Sequence, residues 1–175
     1  MMKFAIYDYV PRRRVHKSSF EQQDVNRLIL DFKDGRKYAT RWAARVMSMT
    51  LSAVDLTDTV LVGIPAHGPY AHARRYKRFL HLLCKQCKAI NGYEHLTVKG
   101  HRECVHTTKQ YDWCSSQADY IDIDYDFFQG KKVVVIDDIC TSCKTADSFI
   151  RFLQDAGADV CMAVFLAKTR QKYIN

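Results

Sequence analysis

The carboxyl-terminal half of the chain carries a strand, loop, helix and strand pattern, which constrains the fold more than any other feature. Residues 133–136 form a short β-branched run, and residues 160–167 form a longer apolar run. Between them, residues from about 145 to 156 have helical spacing, with Phe149, Phe152 and Leu153 on one side. Two buried strands joined by a helix are parallel and connect through a right-handed crossover. The sequence therefore predicts an α/β fold with a central, mostly parallel sheet flanked by helices.

The rest of the chain predicts further strands and helices. Ser18 followed by Glu21 is a capping-box pattern, which predicts that a helix begins near residue 20. Residues 120–128 alternate acidic and apolar side chains, and this period of two predicts a half-exposed strand. The other predictions, in chain order, are an extended basic arm over 1–17, a first helix over 20–32, a second helix ending near 55, a strand over 59–64, a helix from 73 onward, a short strand over 95–99 and a mobile loop over 100–119.

Length and charge narrow the class of protein. The 175 residues, 47% of them hydrophobic, suffice for a single domain spanning 1–175 with its own core. The net charge of +8 favours polyanionic partners, namely nucleic acid, anionic membrane surfaces or phosphorylated small molecules. No apolar run approaches the ~18 residues that span a bilayer, so a soluble protein without a membrane partner is expected. The 7 cysteines are an odd number and no secretory signal is recognised at the start, which predicts a cytoplasmic location.

A candidate site follows the strand at residues 133–136. Asp137 and Asp138 come directly after this apolar run, and hydroxyl side chains follow at residues 141–145. Ligands of open parallel sheets bind beyond the carboxyl ends of the strands. Adjacent carboxylates can accept hydrogen bonds from vicinal hydroxyls, and hydroxyls with backbone N–H groups can surround a phosphate. The pattern therefore predicts a sugar-phosphate site.

The same segment is compatible with two other interpretations. The acids could merely cap a loop, with the hydroxyls forming local turns. Lys144 and Thr145 also echo the end of a nucleotide-binding P-loop, but that motif requires glycine where this chain has Asp138 and Cys143. The first alternative stays open, and the second is rejected.

The stretch VVVIDDICTSCKT, residues 133–145, resembles the phosphoribosyl pyrophosphate motif of type I phosphoribosyltransferases. The resemblance implies that Asp137 and Asp138 are the catalytic acids and hold the ribose hydroxyls. It also implies a loop that binds the 5′-phosphate, formed by Thr141, Ser142, Cys143, Lys144 and Thr145. Cys143 stands where the family usually has glycine, a residue that permits positive φ and close approach of the backbone.

Three more segments resemble the ComF-like (competence protein F) branch of this family. They are NRLILDFKDGRKYATRWAARVM at 26–47, ARRYKRFLHLL at 73–83, and the lead-in Gly130, Lys131 and Lys132. The resemblance implies the type I phosphoribosyltransferase fold, with the N-terminal helices forming part of a hood. Candidate contacts implied by it are Ala66, His67, Arg74 and Arg75 on the pyrophosphate side, and His106 and Lys109 in the mobile loop. A solvated, basic helix face is an equal alternative for the arginines.

The resemblance implies a Mg²⁺-dependent enzyme that transfers the phosphoribosyl group from phosphoribosyl pyrophosphate to a nitrogenous base, with release of pyrophosphate. No set of protein ligands to the metal is assigned, and the acceptor base is not predicted. The alternative is a non-catalytic sensor of a phosphoribosyl ligand, or a competence-type protein that contacts nucleic acid through Arg12, Arg13 and Arg14. A solvated terminus or a homodimer contact is the favoured interpretation of that arm.

The cysteines form two CxxC pairs, Cys84 with Cys87 and Cys140 with Cys143. Four thiolates can bind zinc, but the first pair lies in a predicted helix and the second in the predicted phosphate loop, so a zinc site is not favoured. A disulfide between Cys140 and Cys143 that switches the loop is a hypothesis from their spacing.

Overall fold

The computed structural model describes residues 1–11, 19–100 and 120–169, and seven strands lie within these ranges. Five of them form a parallel sheet in the order β1-β7-β6-β2-β3, and β4 and β5 form a small antiparallel ribbon. The strands are β1 (Met2–Tyr9), β2 (Thr59–Gly63), β3 (Ile90–Asn91), β4 (Leu96–Val98), β5 (Ile121–Ile123), β6 (Lys132–Cys140) and β7 (Asp159–Thr169).

Helices cover both faces of the central sheet. They are α1 (Phe20–Lys33), α2 (Lys37–Leu51), α3 (Pro69–His72), α4 (Arg78–Cys87), α5 (Tyr125–Phe128) and α6 (Lys144–Asp155). A π-helical turn, Ala73–Lys77, joins α3 to α4, and a 3₁₀ turn, Tyr93–His95, precedes β4. The predicted α/β architecture, a mostly parallel sheet flanked by helices, is confirmed.

The core lies in two layers, one on each face of the sheet. On one face, Val133 and Val135 of β6 belong to a cluster with Phe149 of α6. On the other face, Val134 and Ile136 belong to a cluster that includes residues of α1, α2 and α4. Continuous burial of a β-branched run is expected of a central parallel strand, which explains why β6 was predictable.

The amino-terminal segment is part of the sheet. It was predicted as an extended arm, but Met2–Tyr9 forms β1 and pairs in parallel with β7, from Met2 beside Met162 to Tyr9 beside Thr169. The side-chain amide of Asn26 in α1 then holds the backbone of Val10, donating to its carbonyl at 2.6 Å and accepting from its N–H at 3.2 Å. The basic residues Arg12, Arg13 and Arg14 lie outside the described residues.

Two local predictions need correction. The N-cap of α1 is Ser19, whose hydroxyl accepts a hydrogen bond from the Gln22 N–H, and Ser18 lies outside the described residues. The strand predicted over 120–128 is restricted to Ile121–Ile123, because the side chain of Asp124 accepts a hydrogen bond from the Phe127 N–H and starts α5. Aspartate is a strong N-cap, and here the cap overrides the period-two pattern.

The two N-terminal helices form a layer on the sheet. Phe32 of α1 and Met47 of α2 are buried in the same cluster as Val134 of β6. Their contribution to the cavity described below is Lys33, at the end of α1, so the hood implied by the resemblance is limited to this side chain among the described residues of these helices. Within the described ranges, no helix combines the length and apolarity needed to cross a bilayer.

Candidate functional site

The candidate site is a cavity of about 430 Å³ at the carboxyl edge of the central sheet. It is lined by the loop that follows β2, the end of β6 with the loop after it, the first residues of α6, and the single side chains Lys33, Arg75 and Phe165. Asp137, Asp138 and the predicted phosphate-loop residues 141–145 all lie on its wall. The structure thus brings the predicted acids and the predicted loop together around one cavity.

The paired acids are held by two consecutive residues of the π-helical turn. The Tyr76 hydroxyl donates to Asp137 Oδ1 at 2.9 Å, and the Asp138 N–H donates to the same oxygen at 2.8 Å. Arg75 Nη1 lies 3.1 Å from Asp138 Oδ2, and the Ile139 N–H donates to Asp138 Oδ1 at 2.7 Å. Both acids lie within β6, which continues to Cys140, beyond its predicted end at residue 136.

The two acids have different electrostatic surroundings. Burial and the negative charge of Asp138 together raise the pKa of Asp137 to about 7, against the opposing effect of Arg75. Burial would lower the pKa of Arg75, but the carboxylate of Asp138 opposes this, and the net shift is upward, so the guanidinium stays charged. Burial also raises the pKa of Tyr76, which therefore remains a hydrogen-bond donor.

A tightly packed glycine makes room for Tyr76. The Tyr76 ring is completely buried and lies against Gly63, the last residue of β2. A β-carbon at Gly63 would lie 2.6 Å from Tyr76 Cδ1, which is closer than two carbon atoms can approach. The role of Tyr76 was not predicted, because a tyrosine at an apolar position of a helix usually indicates a residue of the hydrophobic core. The adjacent burial of Arg75 and Tyr76 arises at the π-helical turn, a feature that often marks functional positions.

The loop between β6 and α6 is closed by a disulfide between Cys140 and Cys143. Cys143 is the N-cap of α6 and has φ +57°, the left-handed conformation that glycine was expected to provide. The Thr141 hydroxyl lies 2.9 Å from the hydroxyl of Thr169. The first N–H groups of the 12-residue α6 begin at this loop, and such groups favour anions.

The pyrophosphate-side candidates separate in the structure. Ala66, His67 and Arg75 line the cavity. Arg74 is exposed, and its guanidinium lies 3.6 Å from Asp34 and over the ring of Tyr70. Arg74 is not on the cavity wall, so the structure does not bring it together with the other candidates, and its contact with pyrophosphate stays a prediction.

The mobile-loop candidates His106 and Lys109 lie outside the described residues.

Two residues that the sequence did not predict take part in the site. Lys33 lines the cavity, and His72 supports the loop after β2, because its Nδ1 lies 3.4 Å from the Ala66 N–H that donates to it. Burial lowers the pKa of His72 to about 4, with help from the charge of Arg75, so the ring is neutral and able to accept at neutral pH.

The described residues contain no cluster of three or more metal-ligating side chains. Of the cysteines considered for zinc, Cys140 and Cys143 are joined to each other, while Cys84 is buried in α4 and donates its thiol to the Ile90 carbonyl at 3.6 Å.

The fold and the cavity define an α/β protein with a paired acid and a helix N-terminus at the carboxyl edge of a parallel sheet. No family model matches the sequence, and no curated protein matches it. A hypoxanthine phosphoribosyltransferase from Staphylococcus aureus is similar in structure with a TM-score of 0.42 and 13% identity, covering 77% of this chain and 75% of that one. A purine phosphoribosyltransferase from Pyrococcus horikoshii has a TM-score of 0.36 and 15% identity over 94% of this chain and 89% of that one. Similarity of this degree carries no information on the substrate.

Proposed function

We propose that the protein binds phosphoribosyl pyrophosphate with Mg²⁺ in this cavity and transfers the phosphoribosyl group to a nitrogenous base, releasing pyrophosphate. One observation carries the proposal: the acid pair and the loop at the head of α6 line the same cavity. The resemblance of residues 133–145 to the phosphoribosyl pyrophosphate motif, and of other segments to the ComF-like branch, supports it. A cytoplasmic location is part of the proposal.

Each part of the wall has a chemical role in this reaction. The N–H groups at the start of α6 and the hydroxyls of Thr141, Ser142 and Thr145 are donors for the 5′-phosphate. Asp137 and Asp138 are acceptors for the two ribose hydroxyls. As the bond to pyrophosphate breaks, positive charge develops on the ribose, and fixed carboxylates stabilise that charge.

A cation in the cavity suits the leaving pyrophosphate. Lys33 lines the cavity and carries a positive charge, and His67 lines it as a candidate hydrogen-bonding partner. Because the described residues offer no set of metal-ligating side chains, Mg²⁺ would be held mainly by the oxygens of the ligand, as is common for Mg²⁺ bound to phosphates, and would neutralise the leaving group. His72, kept neutral by burial, keeps the loop after β2 in position.

The test measures pyrophosphate release from phosphoribosyl pyrophosphate and Mg²⁺ with a panel of nitrogenous bases. The double variant Asp137→Asn with Asp138→Asn should lose at least about a hundredfold in turnover, because it removes the charges that face the developing positive charge. Asp155→Asn, at the exposed far end of α6, is the matched control and should retain wild-type turnover. Equal turnover in the wild type and the double variant would refute the proposal.

A second candidate is a non-catalytic protein that senses the same ligand. The β-carbon and disulfide of Cys143, at a position where the family usually has glycine, favour it, because they restrict the approach of the backbone to a phosphate. This candidate predicts micromolar binding of phosphoribosyl pyrophosphate by calorimetry without pyrophosphate release for any base. Turnover with any base excludes it.

A further inference from the structure

Tyr76 carries a polar group into the buried apolar cluster that covers one face of the sheet. Its ring is completely buried, packed against Gly63 and at 61° to the Phe79 ring, with centroids 6.5 Å apart. Phenylalanine would fill the same space without bringing a hydroxyl into the core. The hydroxyl is nevertheless satisfied, because it donates to Asp137 Oδ1 at 2.9 Å.

This contact divides the functions of the two oxygens of Asp137. Oδ1 accepts from both the Tyr76 hydroxyl and the Asp138 N–H, at 2.9 and 2.8 Å. Asp137 also lines the cavity, so Oδ2 is the oxygen that remains for a ligand hydroxyl. A carboxylate with one oxygen bound to two donors cannot rotate about its Cβ–Cγ bond without breaking both hydrogen bonds.

The second acid is held in the same way by the neighbouring residue. Arg75, buried beside Tyr76, pairs with Asp138 Oδ2 at 3.1 Å. Three charged or titratable groups act on Asp137: Asp138 on β6, and Arg75 and Tyr76 from the π-helical turn. Two consecutive residues of one turn thus fix two consecutive acids of one strand.

We propose that Tyr76 is a positioning residue for the reaction proposed above: by donating its hydroxyl to Asp137 Oδ1, it directs the other carboxylate oxygen toward the ribose hydroxyls of the ligand. This inference rests on the proposed function for its ligand. The hydrogen bond itself is a property of the protein alone. Tyr76 does not touch the ligand, and it acts through Asp137.

The test compares Tyr76→Phe with the wild type and with Tyr93→Phe. Tyr93 is a matched control, because both tyrosine rings contact His72, Tyr76 tilted at 5.1 Å and Tyr93 stacked at 5.5 Å between centroids, and Tyr93 lies outside the wall of the cavity. Carbon-13 NMR of the Asp137 carboxyl follows its titration without ligand, and the affinity for ribose 5-phosphate and kcat/KM for pyrophosphate release are measured against pH.

In Tyr76→Phe, the pKa of Asp137 should rise above its wild-type value, because a donor to the ionised carboxylate is lost. The affinity and kcat/KM should fall by about tenfold to a hundredfold, the range expected for a hydrogen bond to a charged group. The acidic limb of the pH profile should move to higher pH. Tyr93→Phe should change none of these quantities.

Gly63→Ala provides a second variant that retains the hydroxyl. A β-carbon 2.6 Å from Tyr76 Cδ1 must displace the ring, so Asp137 should again titrate at higher pH than in the wild type. If the Asp137 titration and kcat/KM in Tyr76→Phe coincide with those of the wild type, Tyr76 is not a positioning residue. If the wild type binds no sugar phosphate, the proposed function fails, and the NMR titration by itself decides whether Tyr76 controls Asp137.

Discussion

The two halves of strand β6 are held in place by different forces. In the first half, Val133, Val134, Val135 and Ile136 are buried by apolar packing against both helical layers. In the second half, residues 137–140 are fixed by polar contacts from the π-helical turn and by a disulfide. The first half stabilises the fold through the burial of apolar surface, whereas the second half places two acids beside a buried arginine of the π-helical turn, where water is scarce.

The site half of β6 is therefore held by interactions unlike those that hold the rest of the strand. Apolar residues in the first half can be exchanged for similar ones with modest loss of stability. Each polar residue in the second half depends on a particular partner, and Tyr76 and Asp137, for example, are 61 residues apart. Variants that remove one partner in the second half should therefore change the free energy of unfolding and ligand binding by different amounts. Variants of the first half should change mainly the free energy of unfolding.

The largest effect is expected when the buried ion pair is broken. Arg75→Met should lower the free energy of unfolding by about 3 to 5 kcal/mol, because it leaves Asp138 buried without its cation. Urea unfolding measures this change. Arg74→Met is the matched control and should cost less than about 1 kcal/mol, since Arg74 pairs with Asp34 at the exposed surface. Equal losses in the two variants would contradict the distinction between the halves of β6.

The sequence predicts the first half of β6 well, for a physical reason. Its β-branched run, the helix that follows and the strand β7 have strong local patterns, and each side chain needs only an apolar neighbour of any identity. The two acids and the loop were also predicted as a site, because parallel strands direct their carboxyl ends to one edge. The specific partners could not be predicted, because Tyr76 and His72 act through contacts that exist only after folding.

Two differences between the predictions and the structure have the same origin. Arg74 and Arg75 are adjacent and equally basic, and only the π-helical turn and the packing around it determine that Arg75 is buried while Arg74 is exposed. Met2–Tyr9 carries no strong strand pattern, and it becomes a strand because the edge of β7 offers unpaired backbone groups. In both cases the tertiary structure decides what the local pattern leaves open.

A smaller effect, of opposite sign, is expected when the charge of Asp137 is removed. Its pKa is raised to about 7 in the folded protein, so the contribution of Asp137 to stability is fully present below its unfolded pKa near 3.8 and is lost as pH rises through 7. Asn cannot ionise, and Asp137→Asn should therefore be more stable than the wild type by about 2 kcal/mol at pH 8, less than the full shift implies because water reaches part of the carboxylate.

Urea unfolding of both proteins at pH 4 and pH 8 checks this prediction, and the stability difference should nearly vanish at the lower pH. The protonation of His72 lowers the stability of both proteins as pH falls from about 6.5 to 4, and it cancels in the difference. Asp155→Asn, on the exposed end of α6, should show no such pH dependence. If Asp137→Asn is less stable than the wild type at pH 8, the ionised Asp137 carboxylate does not lower the free energy of unfolding, and the prediction is wrong.

The smallest effect is expected at the disulfide that ends β6. The Cys140–Cys143 bridge closes the loop at the head of α6, and both cysteines line the cavity. A dithiol reductant transfers two electrons to the disulfide, yielding two thiols in the protein and an oxidised reductant, and Cys143 is then free to move from its positive φ. The dissociation constant for ribose 5-phosphate should therefore change by about threefold between oxidising and reducing buffer, equivalent to less than about 1 kcal/mol.

Calorimetry in the two buffers measures this change, and two cysteine variants provide its controls. Cys143→Ser should bind equally in both buffers, because the bridge cannot form, while Cys161→Ser, which alters an exposed thiol away from the cavity, should keep the wild-type dependence. A bridge of this kind in a reducing compartment is usually transient and regulatory, so an affinity that responds to the buffer would make the second half of β6 a controlled site. Equal wild-type affinity in both buffers would instead mean that the bridge only fixes the geometry of the loop.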